Sequence, residues 1–326
     1  MEETINLIFG GVDGTGVWND KEYENTFAES HVNALYKGWQ EGPKEYRRGP
    51  VVLDNRISVS TREQACRIFE FVTSHWKNAG KKAVFLAGYS RGGASVIETA
   101  MWLKKENIPV ECLILFDPVD RTGGVGLPWR DTPIVDTVRH LIYAQRDPAT
   151  KSRPNFGNCG TEIEDRSKTK VSAKIFYGTH AAIGGMPYTQ PKEGYIHEPA
   201  RAPTLDTKVT VLQDNRASIS VKLWAFDLIF EAIYNCKQRL STQSSVQPSV
   251  SPSVGGQLPS QPNNNAPSSG GGKQRIYVVQ SGDWLSKIAL KYYGDAMKYK
   301  VIHKANLDVI GPNPDIIKPG QRLVIP

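Results

Sequence analysis

The sequence predicts a mainly parallel α/β sheet flanked by helices, followed by a separate small unit of two strands and two helices. Three observations predict it. Short β-type apolar runs alternate with helical patterns through the first 240 residues, the arrangement that builds parallel sheets. One of these runs, Ala83-Val84-Phe85-Leu86-Ala87, is continuously apolar, as a strand covered on both faces must be. Residues 241–272 contain no charged side chain and consist mostly of Ser, Pro, Gln, Asn and Gly. Such a stretch buries too little apolar surface to offset its ordering entropy. A large domain over 1–240, a linker over 241–272 and a second domain over 273–326 are therefore expected. A 32-residue coil of this kind spans roughly 30 Å r.m.s., enough to separate two units and keep them within reach.

Taken in order, Ile5–Phe9 reads as the first strand, ending in Gly10-Gly11. Thr61 to Trp76 reads as a helix with Thr61 as its N-cap and Ala65, Ile68, Phe69 and Val72 on one face. The buried run at Ala83–Ala87 leads into a second helix, from about Gly92 to Lys105. Strands follow at Cys112–Phe116, His140–Ala144 and Lys174–Tyr177, then an amphipathic helix over roughly Ser218–Cys236. After the linker come a strand, a turn at Gly282, a helix from Trp284, a second helix near Tyr299–Ala305 and a closing strand.

The totals exclude several classes. Hydrophobic residues make up 39% and charged residues 22%, ordinary values for a packed globular protein. No run reaches the roughly 18–20 apolar residues of a membrane span. The opening Met1-Glu2-Glu3-Thr4 is acidic, unlike a Sec signal, so synthesis in the cytoplasm is expected, and any export to an envelope would use a specialised secretion system. The four cysteines form no C-x-x-C pair and have no histidine at metal spacing, which points to reduced structural thiols rather than disulfides or zinc. Of the net charge of +7, residues 273–326 carry 9 Lys and Arg against 4 Asp, a balance of +5. That suits an acidic wall polymer or anionic surface, and no aromatic-and-basic array of a nucleic-acid module accompanies it.

The chemistry-bearing motif is Gly88-Tyr89-Ser90-Arg91-Gly92, set between the buried strand and the following helix. G-x-S-x-G carries meaning only in this strand–turn–helix context. The turn lifts the Ser90 hydroxyl above the C-terminal edge of the sheet. It also aims the first N–H groups of the helix, that of Arg91 among them, at a reacting carbonyl.

A serine hydroxyl needs a general base, and in such sheets the base is a histidine that follows the serine and the acid. His140, His180 and His197 follow Ser90 within this domain. His180 stands directly after a strand, where α/β sheets place their chemistry. His140 begins a strand, on the opposite edge, and His197 reads as a loop residue. For the orienting acid, Asp117 ends the strand after the nucleophile helix and is preferred. Asp120 lies three residues on, and Asp147, which follows the next strand, is the alternative.

These residues resemble the α/β-hydrolase domain family that includes the phospholipase effectors of type VI secretion systems. The likeness runs through Asp13-Gly14-Thr15, Val32-Asn33-Ala34-Leu35-Tyr36, Tyr46-Arg47-Arg48-Gly49 and Gly88–Gly93. It continues through Asp117-Pro118-Val119 and Gly178-Thr179-His180 with Ile183-Gly184-Gly185. The resemblance implies a triad of Ser90, Asp117 and His180, an oxyanion site near Asp13 and Gly14, and an immunity protein as a partner. The chain departs from the family in having Pro118 for a threonine and Ala182 where an aspartate is usual.

Residues 276–326 resemble a LysM domain. The matching segments are Tyr277–Leu285, Ile288-Ala289, Tyr292–Asp295, Ile302, Ala305-Asn306 and Ile316–Pro326. The resemblance implies binding of peptidoglycan or chitin-like glycan in a groove formed by Gly282, Asp283, Trp284 and Leu285, with Asn306 and Ile316 opposite. Ile288, Ala289, Ile302, Leu323 and Ile325 are core positions.

The expected function is that of a serine esterase or lipase cleaving acyl esters, phospholipids included, without metal or other cofactor. Two alternatives stand beside it: removal of O-acyl groups from wall glycan, and a non-enzymatic binding component of a secretion machine.

Overall fold

The structure is a computed structural model. It describes residues 5–17, 19–50, 57–119, 133–160, 162–198, 205–242, 275–280, 283, 285–293, 298–311 and 317–326. Close contacts divide the chain into two units, Met1–Cys236 and Lys237–Pro326. The first contains β1 (Ile5–Val12), α1 (Asp20–Thr26), α2 (His31–Gly38), β2 (Lys44–Arg47), α3 (Ile57–Trp76), β3 (Lys81–Tyr89) and α4 (Arg91–Lys105). These are followed by β4 (Val110–Phe116), β5 (Val138–Arg146), β6 (Lys170–Phe176), α5 (His180–Ile183), the short pair β7 (His197–Glu198) and β8 (Leu205–Asp206), and α6 (Val211–Thr242), which runs on past Cys236 into the second unit. The expected linker lies outside the described residues, apart from Ser241 and Thr242, which end α6.

The six long strands form one sheet in the order β2-β1-β3-β4-β5-β6, and every neighbouring pair is parallel. The predicted parallel α/β class is thus the observed one. Side chains alternate across the sheet, so each central strand feeds two cores. Ile8, Val84, Leu86, Leu113, Leu115 and Leu141 pack with Ile68 and Val72 of α3 and Val96, Ala100 and Leu103 of α4. On the other face Phe9 and Phe85 meet Trp39, just beyond α2, with ring centroids 5.0 and 5.2 Å apart. Farther along that face, Phe176 of β6 packs on Trp224 of α6.

Several elements are longer than their sequence signals. Helix α3 starts at Ile57, so Thr61 is not its N-cap. The helix is tied to its neighbour from Thr61 onward: the carbonyls of Thr61 and Ala65 accept the hydroxyls of Ser95 and Thr99 of α4 at 2.9 and 3.1 Å. Helix α6 likewise extends to both sides of the expected Ser218–Cys236.

The second unit contains β9 (Arg275–Val278), α7 (Leu285–Tyr293), α8 (Tyr299–Ala305), the single turn α9 (Leu307–Ile310) and β10 (Arg322–Ile325). Strands β9 and β10 pair antiparallel, with Tyr277 opposite Leu323. Ile288, Ala289, Ile302, Leu323 and Ile325 form its core with Val279, Leu285 and Ile310. So small a core leaves an outsized share of the stability to a polar clasp. Buried Asn306 donates to the carbonyls of Ile302 and Val324 at 2.7 Å and accepts the Val324 N–H at 2.7 Å, joining the end of α8 to β10. Asn306→Ala leaves those buried backbone groups without partners. It is expected to cost about 2–3 kcal/mol in this unit, read as lost hydrogen-exchange protection of the β10 amides. Unchanged protection would show the clasp to be redundant.

Candidate active site

In a parallel sheet every strand delivers its C-terminal end to one edge, and this edge collects the candidate residues. Ser90 follows β3, Asp117 follows β4, Arg146 ends β5 and His180 opens α5 beyond β6. The chain places β2 on one side of β1 and β3 on the other, so strand order reverses between β1 and β3, where a crevice opens at such an edge.

The turn at Ser90 is tight because its neighbours lack side chains. A Cβ at Gly92 would lie 2.2 Å from the Val12 carbonyl oxygen, and one at Gly88 would lie 2.5 Å from the Gly92 carbonyl oxygen. Ser90 itself sits at φ 53°, ψ −126°, a conformation costly for a residue with a side chain. Its N–H donates to the Phe116 carbonyl at 3.1 Å, and its carbonyl accepts the N–H groups of Gly93 and Val119, both at 3.0 Å. The surrounding backbone thus over-determines the turn.

The three side chains meet. Ser90 Oγ lies 2.9 Å from His180 Nε2, and His180 Nδ1 lies 2.6 Å from Asp117 Oδ2. All three residues are buried. Burial pulls the His180 pKa down and the Asp117 carboxylate only partly offsets it, so the imidazole stays neutral below the ordinary histidine range. Burial opposes the charge of Asp117, but His180 and Arg146 outweigh it and hold that carboxyl below the usual value. At neutral pH the site is an ionised acid, a neutral imidazole and a serine, the state that base-assisted attack by a hydroxyl requires.

The other candidates lie elsewhere. His140 is buried, with Nε2 3.0 Å from Ser172 Oγ, and burial lowers its pKa to about 4. His197 is exposed and paired with Asp206 at 2.7 Å. Asp147 turns away, accepting the Ala149 N–H at 2.8 Å to cap a short turn at Pro148–Thr150. Asp120 lies outside the described residues.

The expected oxyanion residues divide. The Arg91 N–H is the first of α4, at the helix's positive end, and the Arg91 side chain ties that end to Thr15. Gly14 lies beside the serine: a Cβ there would come 3.2 Å from Ser90 Cβ. The Asp13 N–H is engaged, however, donating to the Arg47 carbonyl at 3.1 Å. Asp13 is therefore a support of the loop rather than an oxyanion donor. Its Oδ2 accepts the Ser30 hydroxyl and, at 2.8 Å, the Tyr46 hydroxyl.

Sequence reasoning missed the groups that hold the histidine. The Ser152 hydroxyl accepts the His180 N–H at 2.8 Å and donates to Glu198 at 2.9 Å. Asp214 of α6 accepts the Thr179 N–H at 2.7 Å. Glu198 is adjacent to His197, and the alternation of β7 turns the histidine outward and the glutamate inward. A cavity of about 460 Å³ lined by His31, Gly185, Met186, Ser218 and Lys222 lies near α5, and none of Ser90, Asp117 or His180 lines it.

Of the glycan-binding candidates, Gly282, Trp284 and Ile316 lie outside the described residues. Asp283 closes its turn, accepting the Gln280 N–H at 2.8 Å and the Tyr277 hydroxyl at 2.5 Å. Leu285 is core and Asn306 is the clasp described above. The side chains of Leu285 and Asn306 point inward, so any contact of theirs with a sugar would be through the backbone.

Asp13 provides a check on the loop. Burial raises its pKa to about 7, partly offset by the Ser30 and Tyr46 hydroxyls. The folded state therefore holds this proton where the unfolded chain has lost it, so stability falls as pH rises from about 4 to 7. Asp13→Asn removes that slope. Relative to wild type the variant is expected to gain a few kcal/mol between pH 4 and pH 8 in denaturant titrations. A difference independent of pH would show that Asp13 is ionised throughout.

Comparisons with known proteins complete the description. Residues 277–326 match the LysM domain family. An uncharacterized protein of Deinococcus radiodurans is 56% identical over 52 residues, which are 16% of this chain and 19% of that protein. The chain thus spans about a fifth of that relative. An uncharacterized protein from Pseudomonas aeruginosa has a TM-score of 0.37 at 14% identity, covering 56% of this chain and 42% of its own. The thioesterase RedJ of the prodiginine pathway in Streptomyces coelicolor has a TM-score of 0.32 at 14% identity, covering 56% of this chain and 85% of its own. Neither likeness bears on chemistry, which rests on the strand order and geometry above. The firm assignment concerns the second unit: residues 277–326 are a LysM domain.

Proposed function

We propose that the first unit is a serine hydrolase that cleaves acyl esters through an acyl-Ser90 intermediate. The observation that carries the reading is the relay from Ser90 Oγ to His180 Nε2 at 2.9 Å and from His180 Nδ1 to Asp117 at 2.6 Å. His180 takes the hydroxyl proton as Ser90 Oγ attacks the acyl carbonyl. The Arg91 N–H and the positive end of α4 face the oxyanion that develops. Collapse of the tetrahedral adduct breaks the ester bond, and His180 returns the proton to the departing alkoxide. Water, deprotonated by the same imidazole, then attacks the acyl-serine and releases the acid. Asp117 fixes the tautomer that leaves Nε2 free to accept, and it stabilises the imidazolium that forms.

The LysM match supports action beside N-acetylglucosamine-containing polymers, for which sedimentation with insoluble peptidoglycan or chitin is the direct assay. Substrates at a bacterial envelope, phospholipids or O-acylated wall glycan, then follow. Fatty-acid release from vesicles set against acetate release from wall polymer distinguishes the two.

A fluorophosphonate probe tests the nucleophile. Wild type is expected to label, Ser90→Ala not at all, and His180→Ala at a rate lower by about a thousandfold or more. Labelling needs neutral His180, whose pKa is lowered, so the rate should persist as pH falls below 6.5 before its acid limb is reached. A folded wild type that never labels would favour a binding role carried by the LysM domain.

A further inference from the structure

At the end of β5, where sequence reasoning weighed Asp147 as an acid, the side chain that enters the site is its neighbour, Arg146. Its side chain is 10% exposed, and the guanidinium reaches four acceptors. Nη1 donates to Asp117 Oδ2 at 2.5 Å, the same oxygen that receives His180 Nδ1. Nε donates to the Ser152 carbonyl at 3.0 Å, and Nη2 to the carbonyls of Arg153 and Gly157, each at 3.1 Å.

The loop so gripped is strained and functional. Lys151 and Arg153 adopt φ of 56° and 42°, unfavourable for residues with a Cβ. This loop supplies Ser152, whose hydroxyl accepts the His180 N–H, and Phe156, whose ring stands edge-on to the imidazole with centroids 5.3 Å apart. Three of the groups that set the pose of His180 therefore depend on one guanidinium. We propose that Arg146 is the positioning residue of the site, clamping Asp117 and the 151–157 loop so that the imidazole is held between them and Ser90. This rests on the serine-hydrolase reading.

A planar fork is needed, because a single ammonium cannot reach a carboxylate and three carbonyls spread around it. The cation also shares the carboxylate with the imidazole. The titratable groups that face His180 are Asp117 after β4, Arg146 from β5, Glu198 from β7 and Tyr89 from β3, whose ring centroid is 4.9 Å away, beside the hydroxyls of Ser90 and Ser152. Among them Arg146 opposes the charged imidazole, while Asp117 and Glu198 favour it. Removing the cation therefore raises the His180 pKa.

The test is the rate of Ser90 labelling by a fluorophosphonate as a function of pH, in the full chain, for wild type, Arg146→Met and Arg146→Lys, with folding checked by near-ultraviolet circular dichroism. Arg146→Met is expected to label about ten- to a hundredfold more slowly, as a base displaced by a fraction of an ångström would, with its acid limb moved to higher pH. Arg146→Lys keeps the charge and loses the fork, so its rate falls while its acid limb stays. If the methionine variant does not fold, the lysine variant decides, and wild-type labelling by it at all pH values overturns the proposal. Folded variants that match wild type in rate and limb overturn it too, leaving the nucleophile intact. A folded wild type that never labels removes both the nucleophile and this clamp.

Discussion

Helix α4 begins in direct contact with the end of β1, closer than any side chain would permit. Gly92 stands where a Cβ would lie 2.2 Å from the Val12 carbonyl oxygen, and Gly88 is as tightly placed against Gly92. That contact forces the chain to turn within one residue, and Ser90 absorbs the turn at φ 53°. The same contact brings Gly14 against Ser90 and sets the first N–H of α4 on the crevice between β1 and β3. Parallel pairing does the rest, since each neighbouring strand must end at the same edge. Asp117 and Arg146 arrive there as the next residue after β4 and the last of β5, in adjacent register.

The histidine is held differently, because α5 is a single turn that cannot fix its own orientation. Its hold is distributed: Thr179 caps the turn through the Ala182 N–H at 3.2 Å, Asp214 anchors Thr179, and Ser152 with Glu198 fixes the His180 backbone. Burying Glu198 and Asp214 is costly, and each carboxylate is met by two or more donors, the condition under which buried charge is tolerated. These acids contact no reacting atom and hold the group that does.

The LysM domain shows the same economy at small scale. Asp283 and Asn306, positions that the resemblance assigned to sugar contact, both close the backbone: one secures a turn and the other joins a helix end to the last strand. In a unit of about fifty residues, polar side chains that satisfy buried backbone groups are part of what specifies the fold.

The sequence by itself determined the parallel α/β class, the serine turn and the second unit, because each has a local signature. A continuous apolar run, a glycine-spaced serine before a helix and a dense string of motif residues need no distant partner to be read. The candidate residues Ser90, Asp117 and His180 were legible for a similar reason, two of them directly after a strand and His180 a short way beyond the end of β6. The elements that escaped are short or polar. Helices α1 and α2, of 7 and 8 residues, offer too little periodicity to register. Arg146, Ser152, Glu198 and Asp214 carry no pattern of their own, and their roles arise from contacts that include pairs 28 to 46 residues apart in sequence. Even the neighbours mislead: at Arg146-Asp147 and at His197-Glu198, the residue weighed from sequence turns away and the one beside it turns in. A strand sends successive side chains to opposite faces, and a residue just past a strand end is turned by its loop, so a choice between neighbours is settled only by which face the tertiary structure buries.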